Sequence, residues 1–352
     1  MRHTDSTGTN NGMGAIIMEV LLKFAACAIV IMISGSQLSR HGDVIAEKTG
    51  LGRNWVGLVL LATVTSLPEL ITGISAVTLN DLPDMAVSGT LGSCLFNMLV
   101  IAALDMFSKK RPVSHMVHQG HILSAGFGIV LIGFAAVDII FSKYMPPIRW
   151  LNSIDPISLG YIIIYLIAMK LIYSYEQQRI QEFAGEIAEA TNVESKSLAK
   201  SILIFVLNSI VIVAAACYLP GLGEEIAKMT GWGESFIGSS FIAITTSLPE
   251  ITVSAVAARM GAFDMAVANL LGSNLFNVVI LAAIDLCYLK APLLSCVSQT
   301  NTLMALAAMI SMGIVVIGLT YRSEKKFLFL AGDAIAIAVV YIMANVLLFI
   351  AH

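Results

Sequence analysis

The chain has 352 residues, of which 57% are hydrophobic and only 12% charged, against about 25% charged in soluble domains. That balance excludes a soluble enzyme or a nucleic-acid-binding module and describes a chain dissolved in lipid. The net charge of −3 carries no information about partners, because in a membrane protein the placement of Lys and Arg matters more than their sum.

Residues 1–13 are polar and rich in Thr, Asn and Gly, and are expected as a disordered tail rather than a signal peptide, since the first apolar run is long enough to span. Apolar runs long enough to cross about 30 Å of hydrocarbon follow near 15–36, 55–79, 84–107, 120–141, 156–175, 200–219, 235–258, 264–288, 300–320 and 328–350. Ten spans predict an all-α polytopic membrane protein. With the N-terminus outside, the cytoplasmic loops and adjoining helix ends hold fourteen Lys and Arg, including Arg40, Arg53, Arg111 and Lys326, and the outer side holds five. Both termini are therefore expected outside a cell membrane. The polar stretch 176–199 is expected as a cytoplasmic linker. Cys27, Cys94, Cys217, Cys287 and Cys296 are odd in number and lack CxxC spacing, which gives neither a disulfide framework nor a zinc site.

The chain is a duplication. TSLPE occurs at 65–69 and again at 246–250, DVIAEKTGLGRNWVG at 43–57 answers to EEIAKMTGWGESFIG at 224–238, and thirteen of the twenty-two positions from Asp84 to Asp105 equal their counterparts 180 residues on. Five spans separate each residue from its partner, so the second copy is inverted. The expected division is a first five-helix repeat over 14–175 and a second over 200–352. Inverted repeats of this kind place the substrate site near the bilayer midplane, where the copies meet.

Glu69 and Glu250 lie deep within spans 2 and 7, where a carboxylate costs several kcal/mol unless it is paired, protonated or facing a wet cavity. Pro68 and Pro249 explain the rest of the motif. Proline cannot donate to the carbonyl four residues back, so oxygens are freed at Val64/Thr65 and Thr245/Thr246. Thr65, Ser66, Thr246 and Ser247 add hydroxyls at that level. GSCLFN at 92–97 and GSNLFN at 272–277 supply Gly92 and Gly272 for close helix approach. Ser93 and Asn97, like Ser273 and Asn277, are four apart and share one helix face. One such pair alone reads as interhelical glue; two of them beside two carboxylates read as ligands. Carboxylates, amides, hydroxyls and carbonyls suit a hard cation, and six to eight such oxygens suit Ca²⁺. Zn²⁺ or Cu⁺ would call for Cys, His or Met, and the only sulfur beside the motif is Cys94, whose counterpart is Asn274. The same oxygens serve Na⁺ or, with both Glu protonated, protons.

These residues resemble the two alpha repeats of the cation/calcium antiporter superfamily, and most of all its sodium/calcium exchanger branch, which reads roughly GTSLPE in one bent helix and GSN-x-F-N/D in the next. The resemblance implies that spans 2, 3, 7 and 8 surround the ions while spans 1 and 6 slide across them. By matching position, Glu69 and Glu250 would be shared Ca²⁺ and Na⁺ ligands, and Thr65 and Thr246 would offer carbonyls. Ser66, Ser93, Ser247 and Ser273 would be sodium-side hydroxyl ligands, Ala62 and Ala243 would add backbone oxygens, and Asn97 and Asn277 would complete the centre. It further implies a non-enzymatic antiporter of inorganic cations, with no cofactor, no nucleic acid and no obligate protein partner. Departures are Val64 and Thr245 in place of the usual glycine. Another is Asn277, where potassium-dependent exchangers and some prokaryotic members carry Asp, which argues against potassium co-transport. Proton-coupled members typically show GNxxE instead of TSLPE, so H⁺/Ca²⁺ exchange is the alternative.

Lesser signals have plainer readings. His115, His118 and His121 drift around the start of span 4, with metal binding or pH sensing as the bolder reading. Glu19 and Lys23 form an i,i+4 pair. Asp84 and Asp264 open spans 3 and 8 as N-caps or as a cation funnel, and Asp105 and Asp285 close them as structural groups. An intramembrane protease would use an Asp-centred GxGD-like pattern that is lacking here. A passive channel usually builds its filter by subunit symmetry, whereas this duplication builds one closed site.

Overall fold

The computed structural model describes residues 7–108, 111–142, 156–187, 197–229, 244–327 and 329–351. The described chain is helical with no named strand; Phe327 and Leu330 form an isolated bridge. Numbered in chain order, the principal helices are α1 (Thr7–Thr49), α2 (Arg53–Leu79), α3 (Pro83–Phe107), α4 (His121–Phe141) and α5 (Pro156–Ile187). They continue as α6 (Leu198–Met229), α7 (Leu248–Arg259), α8 (Phe263–Cys287), α9 (Thr300–Tyr321) and α10 (Gly332–Ala351). Nine of these are long and apolar enough to cross a membrane among the described residues. The remaining span, expected over 235–258, is represented by α7, and its residues 235–243 lie outside the described residues.

Three boundaries differ from expectation. α1 begins at Thr7, inside the stretch expected as a tail, and runs to Thr49, well past residue 36; its 43 residues measure about 65 Å. Burial of Ile45 and Ala46 keeps its distal turns packed. α5 continues to Ile187, so the first half of the expected linker is helical, and 188–196 lie outside the described residues. α6 extends to Met229 through Pro220.

Burial sorts the helices. In their most apolar stretches α8 is 72% buried and α3 67%, against 11% for α1 and 22% for α6, so α8 and α3 are the axis of the bundle and α1 and α6 face lipid. α1 and α6 pack along one another and reach the core together, α1 against both α7 and α2 and α6 against α2. Ser39 Oγ of α1 donates to the Val253 carbonyl of α7 at 2.8 Å.

The backbones of α2 and α8 touch. Residues Val56–Leu61 of α2 form a π-helical turn, and a Cβ on Gly57 would meet the Met265 carbonyl at 2.5 Å. A Cβ on Gly272 would collide with the Leu58 carbonyl and approach the Ala62 Cβ to 2.8 Å, as expected of a close-approach glycine. No described atom lies within 4 Å of a Cβ on Gly92.

Four aspartates tie helix ends to other segments, each with at least one bond across the duplication. Asp84 accepts from the Ser298 backbone N–H at 2.7 Å and Asn301 Nδ2 at 2.8 Å. Its counterpart Asp264 accepts from the His118 N–H at 2.7 Å and pairs with His121 Nε2 at 3.0 Å. Residues 298 and 301 are themselves 180 positions from 118 and 121. Asp105 accepts from the Val113 and Ala331 backbone N–H groups at 2.6 and 2.7 Å. Asp285 accepts from the Leu293 N–H at 2.6 Å and Ser158 Oγ at 2.7 Å. These are structural ties: Asp84 and Asp264 hold loops of the opposite repeat, and in place of the expected aspartate N-caps the cap positions fall on Leu82 and Ala262, with no side-chain cap bond.

The loops segregate as the charge pattern requires. His115 Nδ1 meets the Arg322 carbonyl at 3.0 Å, Arg259 lies over the Phe107 ring at 5.4 Å, and Asn54 Nδ2 donates to Glu176 at 3.0 Å. All belong to segments expected in the cytoplasm. On the other face Lys290 pairs with Asp81 at 2.6 Å, and Gln299 Nε2 donates to the Ile139 carbonyl at 3.1 Å. The Lys290 ammonium beside it holds the Asp81 carboxyl below the usual carboxylate range. Glu19 and Lys23 form the expected local pair at 2.7 Å.

Candidate functional site

The two TSLPE copies, identical in letters, fold differently. Pro68 lies inside the continuous helix Ala62–Leu79, directly after the π-helical turn, and its missing N–H leaves the Val64 carbonyl without the usual helical donor. In the second copy the helix breaks at Ser247 (φ −85°, ψ 8°) and restarts at Leu248, with Pro249 in its first turn. Proline is favoured there because its N–H is not needed. Glu250 consequently sits in the first turn of α7, where the helix dipole favours negative charge.

The two glutamates, 5% and 2% exposed, come together at the junction of the repeats. Ser66 Oγ of α2 donates to Glu250 Oε1 of α7 at 3.2 Å, and Thr65 and Ser273 also border that carboxylate. Glu69, one turn beyond Ser66, faces the Ser93 side chain and lies within electrostatic reach of Glu250. Ser247 Oγ meets Ser93 Oγ at 3.4 Å, and Thr65 Oγ1 meets Ser273 Oγ at 3.4 Å. Each of these pairs joins one repeat to the other. Thr65 Oγ1 also turns toward the Ala62 carbonyl at 3.3 Å. Thr246 is half-buried just ahead of the break, and Ala243 lies outside the described residues.

Buried oxygens without hydrogen-bond partners gather on these residues. They are both carboxylate oxygens of Glu69, Oε2 of Glu250, and Oδ1 of Asn97 and Asn277. Leaving such groups unpartnered in an apolar interior is costly, and charge makes it more so. A cation removes the cost for all of them. The donor set of carboxylates, amides and hydroxyls fits a hard ion. Among the described residues no three His, Cys, Asp or Glu side chains gather as a metal-holding group, which corrects the metal reading of the histidine trio. His121 pairs with Asp264, His115 with Arg111 and the Arg322 carbonyl, and His118 Nδ1 accepts from the Gly120 N–H at 3.1 Å.

A surrounding layer was not legible from the motifs. Asn269 Oδ1 accepts from Thr65 at 3.4 Å while its Nδ2 donates to Ser254 Oγ at 3.0 Å. Asn274 and Cys94 contact the amides of Asn97 and Asn277. The counterpart of Asn269 is Gly89, so the duplication, which singled out the other residues, is silent here.

Comparison with known proteins agrees with this architecture. The sodium/calcium exchanger protein family matches residues 19–173 and 200–350. The sodium/calcium exchanger MaX1 of Methanosarcina acetivorans is 25% identical over 282 residues, covering 73% of this chain and 80% of the relative. The Ca(2+)/H(+) antiporter ChaA of Bacillus subtilis is 24% identical over 310 residues, covering 86% of each. Among solved structures, the sodium-calcium exchanger NCX_Mj superposes with a TM-score of 0.69 at 18% identity, covering 94% of this chain and 99% of that one, which shows the shared fold of ten membrane helices in two inverted repeats. The chain is a multi-pass membrane protein of the sodium/calcium exchanger family, a family of cation/Ca²⁺ antiporters rather than enzymes.

Proposed function

We propose that the chain exchanges Na⁺ for Ca²⁺ by alternating access at one site built on Glu69 and Glu250. The observation that carries this reading is the gathering of five unpartnered buried oxygens on Glu69, Glu250, Asn97 and Asn277. Two carboxylate charges balance one Ca²⁺ or an equal charge of Na⁺. Ser66, Ser93, Ser247 and Ser273, with the Thr65, Thr246, Ala62 and Ala243 carbonyls, complete the two ion shells.

Antiport follows from electrostatics. With no cation bound, two buried carboxylates in the lipid core, three of their four oxygens without a hydrogen-bond partner, carry a cost of several kcal/mol, so the unloaded protein resists crossing between states and Ca²⁺ or Na⁺ licenses each crossing. The α1–α6 pair lies against the core through α1–α7, α1–α2 and α6–α2 contacts, and a slide of that pair opens one side as it closes the other. Such a slide breaks the Ser39 to Val253 hydrogen bond. By the distribution of Lys and Arg, both termini lie outside a cell membrane.

Proton coupling is the second reading, supported by the extent of the match to ChaA. Uptake of ⁴⁵Ca²⁺ into proteoliposomes under a sodium gradient alone and under a proton gradient alone separates the two. Sodium-driven uptake that persists with the pH gradient collapsed supports Na⁺/Ca²⁺ exchange; uptake under the proton gradient only rejects it.

A further inference from the structure

Position 94 and position 274 are counterparts across the duplication, Cys in the first copy and Asn in the second. Both are fully buried, and each touches an amide of the opposite repeat. Asn97 Nδ2 donates to Asn274 Oδ1 at 2.9 Å, and Asn277 Nδ2 donates to Cys94 Sγ at 3.5 Å. The remaining Oδ1 of each amide is the one that has no partner.

The direction of the first pair is forced. The Cys94 backbone carbonyl can only accept, so Asn274 must turn its Nδ2 to that carbonyl, at 2.9 Å. Its Oδ1 then faces Asn97, which must answer with Nδ2 and is left with Oδ1 on the far side. Asn277 faces the sulfur with Nδ2 at the longer distance of 3.5 Å, and because a thiol accepts weakly and can also donate weakly, it sets that direction less firmly. We infer that Asn274 and Cys94 are positioning residues that hold the Asn97 and Asn277 amides with oxygen toward the cation, and that the thiol makes the second hold the looser one. This rests on the proposed cation site. A rotated amide would present N–H donors to the ion and oppose binding, so loss of the hold weakens cation affinity and spares the transport step.

The test is ⁴⁵Ca²⁺ uptake in proteoliposomes for wild type, Cys94→Ala, Cys94→Asn, Asn274→Leu and Asn277→Ala, with Cys94→Ala also combined with Asn277→Ala. Cys94→Ala is expected to raise the half-saturating Ca²⁺ concentration about three- to tenfold, the worth of one hydrogen bond, with the maximal rate kept within about twofold. Asn274→Leu is expected to raise it further, because the bond lost is the stronger one. Cys94→Asn supplies an amide oxygen in place of sulfur and is expected to restore or lower the wild-type value. In the Asn277→Ala background Cys94→Ala is expected to add nothing. An unchanged half-saturation in Cys94→Ala, an additive effect in the double variant, or a fall in maximal rate alone overturns the inference. If Cys94→Ala does not elute as a monodisperse protein, Asn274→Leu decides by the same two readouts. Wild type that moves no Ca²⁺ under any gradient sinks the site itself, whereas wild-type transport with a flat Cys94 series sinks only the positioning role.

Discussion

The Ser66 hydroxyl donates to Glu250 Oε1 at 3.2 Å across 184 residues of sequence. The contact brings a side chain of the first repeat onto the carboxylate of the second, so neither repeat alone would hold the whole of the proposed site. Removing the hydroxyl by Ser66→Ala takes away one buried hydrogen bond to a charged group, worth about 1.5–3 kcal/mol. Sodium and calcium half-saturation in proteoliposomes are expected to rise by roughly tenfold or more, and unchanged values would show that Ser66 only packs.

On the proposed function, Ca²⁺ bound to the folded protein would stabilise it by mass action, about 2.7 kcal/mol at a hundredfold excess over Kd. The thermal midpoint in detergent is expected to rise with Ca²⁺ for wild type and to stay flat for Glu250→Gln. A rise of equal size in both would place the stabilising ion elsewhere.

Asn277 leaves the proposed site with two carboxylates. Asn277→Asp adds a third buried charge, which calls for a further cation. Wild-type Ca²⁺ uptake is expected to be indifferent to K⁺ and the variant's uptake to be stimulated by it. Stimulation of wild type by K⁺ would contradict the reading of Asn277.

Gly272 lies against the Leu58 carbonyl, where a methyl group must push two backbones apart. Gly272→Ala is expected to cost about 1–3 kcal/mol, read as a lowered thermal midpoint together with weaker cation affinity, since Ser273 and Asn277 ride on the same helix. A midpoint within experimental scatter of wild type would mean that α2 and α8 do not require this closeness.

Much of the site was legible because the chain repeats itself. The repeated TSLPE singled out Glu69 and Glu250, and the thirteen matching positions between Asp84–Asp105 and their counterparts took in Ser93, Ser273, Asn97 and Asn277, before any geometry. Hydropathy placed the helices but not their ends. Residues 37–49 of α1 carry Arg40, Asp43, Glu47 and Lys48 yet stay helical, since tertiary packing overrides composition. The different fates of Pro68 and Pro249 could not be read from five shared letters; one follows a π-helical turn pressed onto α8, the other opens a helix. The layer of Cys94, Asn274, Asn269 and Ser254 was hidden because its meaning lies in which helix faces which.

The most direct measurement is sodium-gradient-driven ⁴⁵Ca²⁺ uptake in proteoliposomes for Glu69→Gln, Glu250→Gln and the double variant. With both carboxylates on one ion, each single change is expected to abolish uptake as completely as the pair does, because the groups act as a unit. Uptake near wild type in either single variant, or partial losses that add up in the double, would contradict a shared centre.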